Sequence, residues 1–254
     1  MELDVYISLN CDIGCARAKN EDMILISGET FRNRSEVFST IVHNSGRFVA
    51  AVADGMGGHR AGEIASEMAL NMFDDFIVNL PKGFNDKDFR HVLDNEIRRI
   101  HNSINMYGQS HSGCLGLGTT LTAWLTYENR IYIINAGDSR IYRLRNGILC
   151  QLTTDHSERN KNNNPTLPSN VIYNSLGGGG NSTFIDIKEI TDKVFVEDVF
   201  LLCSDGLSDM LTEEEIEDNL ITYCNSNALV EHAKSKGGLD NISVTILKIN
   251  KLLW

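Results

Sequence analysis

A chain of 254 residues that is 42% hydrophobic and 22% charged is long enough to bury a large core and falls outside the disordered class. Its net charge of −11 argues against nucleic-acid binding, which needs basic surface to displace phosphate counterions. Six cysteines without a CxxC pair or a His-x-x-x-His argue against a zinc site, and no apolar stretch approaches the roughly 18 residues of a membrane helix.

In chain order, strand-like runs at residues 3–9, 23–27 and 48–53 come first. Two amphipathic helices follow. Residues 61–80 place Ala65, Met68, Ala69, Met72, Phe73, Phe76 and Ile77 at i, i+3, i+4 spacing before Pro81 and Gly83. Residues 86–106 repeat the pattern with Phe89, Val92, Leu93, Ile97, Ile100 and Ile104, and Gly108 is expected to stop it. Strand-like runs resume at 119–126, 131–135, 141–144, 185–190, 199–203 and 242–249. Glu128-Asn129 reads as one hairpin turn, and Asn146-Gly147 as another before a short apolar run. Late helices are expected at 213–220 and 227–236, the first with a capping box from Thr212 and Glu215. Between Ser157 and Asn181 the chain is rich in asparagine, carries Pro165 and Pro168, and ends in the run Gly177–Gly180, so a mobile loop is expected. Strands follow strands and helices come in groups, which argues for an α+β fold with antiparallel sheet and not for alternating βαβ units.

Five aspartates in short motifs carry the chemistry. They are Asp22 in Asn20-Glu21-Asp22, Asp54 in Asp54-Gly55-Met56-Gly57-Gly58-His59, Asp138 in Gly137-Asp138-Ser139-Arg140, Asp205 in Ser204-Asp205-Gly206, and Asp240 in Asp240-Asn241-Ile242. Most sit at the end of an apolar run, where a carboxylate packs poorly and is costly to bury without a compensating cation. A turn or cap role explains any one of them, but the strand–Asp–Gly pattern recurs. Carboxylates converging on one site hold hard divalent cations such as Mg²⁺ or Mn²⁺. The glycine at 55 lets a backbone carbonyl approach an ion. A metal-dependent hydrolase is the class expected.

With these motifs in order, joined by Arg17-Ala18-Lys19 before Asn20, Ala61-Gly62-Glu63, Gly118-Thr119-Thr120-Leu121 and Leu152-Thr153-Thr154-Asp155-His156-Ser157, the chain resembles the PP2C-type (PPM) metal-dependent Ser/Thr protein phosphatases in their bacterial form. The resemblance covers nearly the whole chain. It implies one domain over residues 1–254, a central antiparallel β-sandwich flanked by pairs of antiparallel helices in α-β-β-α layers, and a two-metal centre at one end of the sandwich. Asp54, Asp205 and Asp240 match the family's direct ligands, and Gly55 the residue that ligates through its carbonyl. Glu21 and Asp22 match the acidic pair that holds metal-bound waters. Asp138 matches a ligand of a third, weaker ion, to which Ser157 is also assigned. Arg17 matches the arginine that grips the substrate phosphate, a task suited to a planar guanidinium fork.

The implied cofactors are two catalytic Mn²⁺ or Mg²⁺ ions with a third beside them. The implied partners are phosphoprotein substrates and a cognate Ser/Thr kinase whose marks are reversed. A monomer in the cytoplasm, binding neither nucleic acid nor membrane, completes the expectation. Two departures stand out. The histidine that follows Asp-Gly in eukaryotic members is replaced by Met56, and His59 lies three residues on, either as general acid or as a residue that shapes its loop. The flap, at about 157–181, is short and rich in asparagine and proline. Two other readings fit less well. A catalytically silent scaffold would normally have lost metal aspartates. A regulator phosphatase acting on anti-sigma-type partners usually lacks the Arg-x-x-Asn-Glu-Asp entry.

Overall fold

The run Val199–Cys203 is apolar at every position because both of its faces are buried. The computed structural model describes residues 2–43, 46–57, 61–164, 166–167 and 171–253. In it Phe200 and Leu202 point into one apolar cluster, and Val199, Leu201 and Cys203 into another. Side chains alternate across a strand, so a strand apolar on both faces has a layer on each side.

The strands are β1 (Glu2–Asp12), β2 (Met23–Ile26), β3 (Glu29–Phe31), β4 (Arg34–Val42), β5 (Val49–Ala53), β6 (Gly55–Met56), β7 (Gly118–Thr119), β8 (Leu121–Tyr127), β9 (Arg130–Ala136), β10 (Arg140–Arg145), β11 (Ile148–Gln151), β12 (Leu176–Gly177), β13 (Asp186–Glu189), β14 (Val199–Cys203) and β15 (Ile242–Leu253). The helices are α1 (Gly62–Asn79), α2 (Asp86–Ser110), α3 (Glu158–Lys161), α4 (Asp205–Ser208), α5 (Glu213–Thr222) and α6 (Ser226–Ser235). One sheet has the order β11-β10-β14-β15-β1-β4 and the other β13-β9-β8-β5-β2-β3. All their pairings are antiparallel. A small third sheet, β12-β7-β6, lies beside the site described below.

Between the two large sheets lie Val5, Ile7 and Leu9 from β1, Val52 from β5, Trp124 from β8 and Phe200 from β14. Helices α1 and α2 cover the outer face of the second sheet, packing Phe73, Phe89 and Ile97 against Ala51, Ala123 and Tyr132. Helices α5 and α6 cover the outer face of the first. The α-β-β-α layers are those expected. The capping box of Thr212 and Glu215 is formed. Glu128 and Asn129, with φ of 48° and 65°, and Asn146 and Gly147, with 53° and 76°, make the left-handed hairpin turns that the right-handed strand twist favours.

The structure corrects four expectations. Strand β4 has no counterpart in the sequence reading, because its apolar Val37 and Ile41 face outward and are half exposed, while Glu36 and Thr40 share the inward side. The run 119–126 breaks at Thr120 into two strands of different sheets. Gly108 does not stop α2. Leu117 and Cys114 pack directly onto the helix there, and a Cβ would meet the Leu117 Cδ2 at 2.5 Å.

The fourth concerns the flap, whose described residues include helix α3 and a set of polar side-chain contacts where no regular element was expected. Ser157 caps α3, accepting from the Asn160 amide, and pairs with Ile172 in an isolated bridge. Asn162 Nδ2 donates to the Glu158 carbonyl, and Asn164 Oδ1 accepts from the Thr166 amide. Where the segment returns, Gly177, Gly178 and Gly179 all take φ near +70°, a region open to glycine at little cost. His101 and Asn105 of α2 clamp this turn: the Gly177 amide donates to His101 Nδ1 and the Gly179 amide to Asn105 Oδ1. Pro165, Pro168 and Asn170 lie outside the described residues.

Candidate active site

Strand register brings the aspartates together. Met23 pairs with Ala53, Leu121 with Ala136, Arg140 with Cys203, and Cys203 with Val244. Asp22 therefore precedes its strand, and Asp54, Asp138 and Asp205 follow theirs, at the same end of the sandwich, where Asp240 also enters β15. There a cleft of about 490 Å³ is lined by Arg17, Lys19, Glu21, Asp54, Asp138, Asp205 and Asp240, with Gly55, Met56, Thr120 and Ile172 among the rest.

Each carboxylate is held by backbone that its neighbours fix. The Asp54 amide donates to Thr120 Oγ1, and its carbonyl accepts from the Thr120 amide and the Thr119 hydroxyl, all at 2.9 Å. Gly55 is pressed against its surroundings: a Cβ there would strike the Gly62 carbonyl and come within 2.5 Å of that of Glu21. Asp22 is only 1% exposed and stands outside the lining, with Oδ2 accepting from Ser204 Oγ at 2.7 Å. Ser204 Oγ also accepts from the Ser243 amide at 2.9 Å. Asp205 begins α4, and its Oδ1 is buried without a hydrogen-bond partner among the described residues. Asn241 stitches the entry loop to Asp240. Its Oδ1 accepts from the Glu21 amide at 2.8 Å, and its Nδ2 donates to the carbonyls of Ile13 and Lys19 at 2.9 Å each. Asp240 itself pairs with Arg17 Nη2 at 2.6 Å.

The electrostatics follow from crowding like charges in a partly buried place. Burial, with Asp205 nearby, pushes Asp138 up to about 8. Burial pushes Asp22 to about 7 and Asp205 to about 6. Asp54 is raised well above the ordinary carboxylate range by burial and by Asp22, Asp205 and Asp138. Glu21 is raised by burial and by Glu63. Asp240 holds Arg17 more firmly protonated. Such a cluster asks for positive charge.

The residues fit hard divalent cations. The donors are carboxylate oxygens, one of them the Asp205 Oδ1 that has no hydrogen-bond partner among the described residues, and Gly55, which lines the cleft, adds a carbonyl oxygen. Among the described residues, no group of three His, Cys, Asp or Glu side chains stands ready-made to hold an ion; Ser204 holds Asp22 and Arg17 holds Asp240.

The expected residues Arg17, Glu21, Asp54, Gly55, Asp138, Asp205 and Asp240 line one cleft, with Asp22 against it. Ser157 does not line it; its hydroxyl is spent as the cap of α3. His59 lies outside the described residues. His156 is buried and serves as a pin: its Nδ1 accepts from the Gly137 amide and faces Asn174 Nδ2, while Nε2 faces Asp186 Oδ2 at 3.2 Å. The residues that the sequence reading left without roles are Thr119, Thr120, Ser204 and Asn241, which orient the carboxylates, and Lys19, which lines the cleft and pairs with Glu63 at 2.5 Å. All five sit inside the recognised motifs, so proximity to the aspartates was their signal.

The family model for protein phosphatase 2C matches residues 35–236 of the chain. The chain is 32% identical over 260 residues to the serine/threonine phosphatase stp of Listeria welshimeri, covering 97% of this chain and 96% of that one. Its fold is similar to that of the S. agalactiae serine/threonine phosphatase, with a TM-score of 0.79 and 30% identity over 97% of this chain and all of the other. It is also similar to the catalytic domain of the serine/threonine phosphatase PstP in complex with two manganese ions, with a TM-score of 0.74 and 30% identity over 98% of this chain and all of that one.

Proposed function

This chain belongs to the protein phosphatase 2C family and is a serine/threonine protein phosphatase, and on that premise we propose that it hydrolyses phosphoserine and phosphothreonine in partner proteins with two divalent ions, Mn²⁺ or Mg²⁺. The observation that carries the reading is the meeting of Asp22, Asp54, Asp138, Asp205 and Asp240 at one end of the sandwich, with four of them pushed upward in pKa. Asp54, Asp205, Asp240 and the Gly55 carbonyl would hold the pair, Glu21 and Asp22 would bind through its waters, and Asp138 would serve a third ion. When bound, the ions supply a water of lowered pKa as nucleophile and neutralise the phosphate dianion.

The chain's own residues do the rest. Arg17 stands at the rim, 53% exposed in its side chain, and presents its fork to phosphate oxygens while Asp240 holds it at the cleft mouth. Thr119 and Thr120 fix the Asp54 backbone and Ser204 holds the Asp22 carboxylate, so metal binding calls for the carboxylates to turn on a backbone that stays in place. The counterpart enzyme is a Ser/Thr kinase that phosphorylates the same proteins. All six cysteines stand as free thiols, which supports a reducing, cytoplasmic setting.

The test is phosphate release from a phosphothreonine peptide with Mn²⁺ and with EDTA. Turnover that needs metal, and that is lost in Asp54→Asn and Asp205→Asn while the circular-dichroism spectrum is unchanged, is the expected result. Near-wild-type turnover in both variants refutes the reading. Metal uptake without turnover favours a phosphoprotein-binding scaffold.

A further inference from the structure

Arg32 belongs to none of the motifs, yet it is tied to the acidic pair. It follows β3, and its side chain is 20% exposed. Its Nε donates to the Asp22 carbonyl at 3.0 Å. Its Nη2 donates to the Glu63 carbonyl at 2.8 Å and to Ser66 Oγ at 3.1 Å. Ser66 is fully buried and donates in turn to the Glu21 carbonyl at 2.6 Å. One guanidinium and one hydroxyl thus hold the backbone of both Glu21 and Asp22 against the first turn of α1.

That turn is the other half of the site. Gly62 lies in it, so close to Gly55 and to the Glu21 carboxyl that a Cβ would come within 2.8 Å of each. The segment carrying the acidic pair and the segment carrying Asp54 and Gly55 therefore meet at α1, and Arg32 with Ser66 sets how they meet. Neither side chain lines the cleft. Glu67, which faces Arg32 Nη1 at 3.5 Å, is 54% exposed and adds only a surface charge.

We propose that Arg32 and Ser66 are positioning residues that set the spacing between Glu21–Asp22 and Asp54–Gly55, and with it the affinity for divalent ions. The inference rests on the two-metal reading of the site. Groups that orient ligands without touching the ion typically change metal affinity by 10- to 100-fold. A clamp that served only the fold would change melting temperature and leave affinity alone.

The experiment is titration of the full chain with Mn²⁺ by calorimetry, with free Mn²⁺ followed by electron paramagnetic resonance and the metal-free melting temperature measured in parallel. Arg32→Gln and Ser66→Ala are expected to weaken Mn²⁺ binding about tenfold or more, with Glu67→Gln within about twofold of the wild type. At saturating Mn²⁺ their kcat is expected to return toward the wild-type value, since the ligands remain. Wild-type affinity in both variants, with only the melting temperature lowered, overturns the proposal. Should Arg32→Gln fail to fold, Ser66→Ala decides by the same criterion. No Mn²⁺ uptake by the wild type sinks the metal reading, and this inference with it.

Discussion

Removing one negative charge from the site should make the metal-free protein more stable, by an amount that depends on pH. Asp22 is the best place to test this, because it is 1% exposed and its partner, the Ser204 hydroxyl, can donate equally to the oxygen of an asparagine. Burial moves Asp22 from an ordinary 3.8 to about 7. In the folded state it therefore holds its proton over a range where the unfolded chain has released it. Stability is full below about pH 4 and is lost as pH rises through about 7. At about 1.4 kcal/mol per pH unit, the charged form costs up to ~4 kcal/mol at pH 8. Asp205 and Asp138, raised to about 6 and about 8, act with the same sign, and Asp138 extends the window upward. Urea denaturation in EDTA should find Asp22→Asn more stable than the wild type by ~2–4 kcal/mol at pH 8 and by less than ~1 kcal/mol at pH 4.5. Saturating Mn²⁺ should reverse the ranking, because the ions stabilise only the state that binds them well. A gap that is absent at pH 8, or equal at both pH values, would refute the electrostatic account of this site.

Other expectations are simpler to check. Arg17→Ala should raise the KM for a phosphopeptide more than it lowers kcat, and should change stability by less than ~1 kcal/mol, since the pair with Asp240 is exposed. Gly55→Ala should cost more than ~2 kcal/mol in denaturation and also depress Mn²⁺ binding, as its Cβ has no room beside Gly62 and Glu21. Asp198→Ala should cost ~1.5–3 kcal/mol, because Asp198 is 1% exposed and carries a two-pronged bond from Arg145 at 2.6 Å, while Arg145 itself still reaches solvent. Thr212→Ala should cost ~1 kcal/mol through loss of the capping box of α5, read from the shift in melting temperature.

The layers and the cleft were legible in the sequence because their signals are local. An apolar run that ends in Asp-Gly marks both a buried strand and the carboxylate at its tip. What was illegible depends on partners distant in the chain. Strand β4 is defined by its pairing with β1, and its outward Val37 and Ile41 erase the alternation that would announce it. Gly108 reads as a helix stop, yet it is a contact point for the loop at Cys114 and Leu117. Arg32 resembles any surface arginine, and only the approach of residues 21–22 to α1 gives its three donors their acceptors. The asparagines of the flap signal a loop by composition, but their role as caps and turn formers depends on which carbonyl or amide each one meets.

The flap has one further consequence. Its base is laced shut: the Tyr173 amide donates to the His156 carbonyl at 2.9 Å, Asn174 Nδ2 lies 2.8 Å from His156 Nδ1, and Ser157 bridges Ile172. Just before the base, Arg140 grips Asp155 through two nitrogens, and just after it His101 and Asn105 clamp the glycine turn. The two described ends of the segment are thus fastened to the body of the fold by contacts of their own. Lengthening a loop whose ends are already fastened costs little, growing only with the logarithm of its length. Insertions between the fastened ends are therefore expected to cost the fold little, whereas Ile172, at the base, faces the same cleft as the carboxylates.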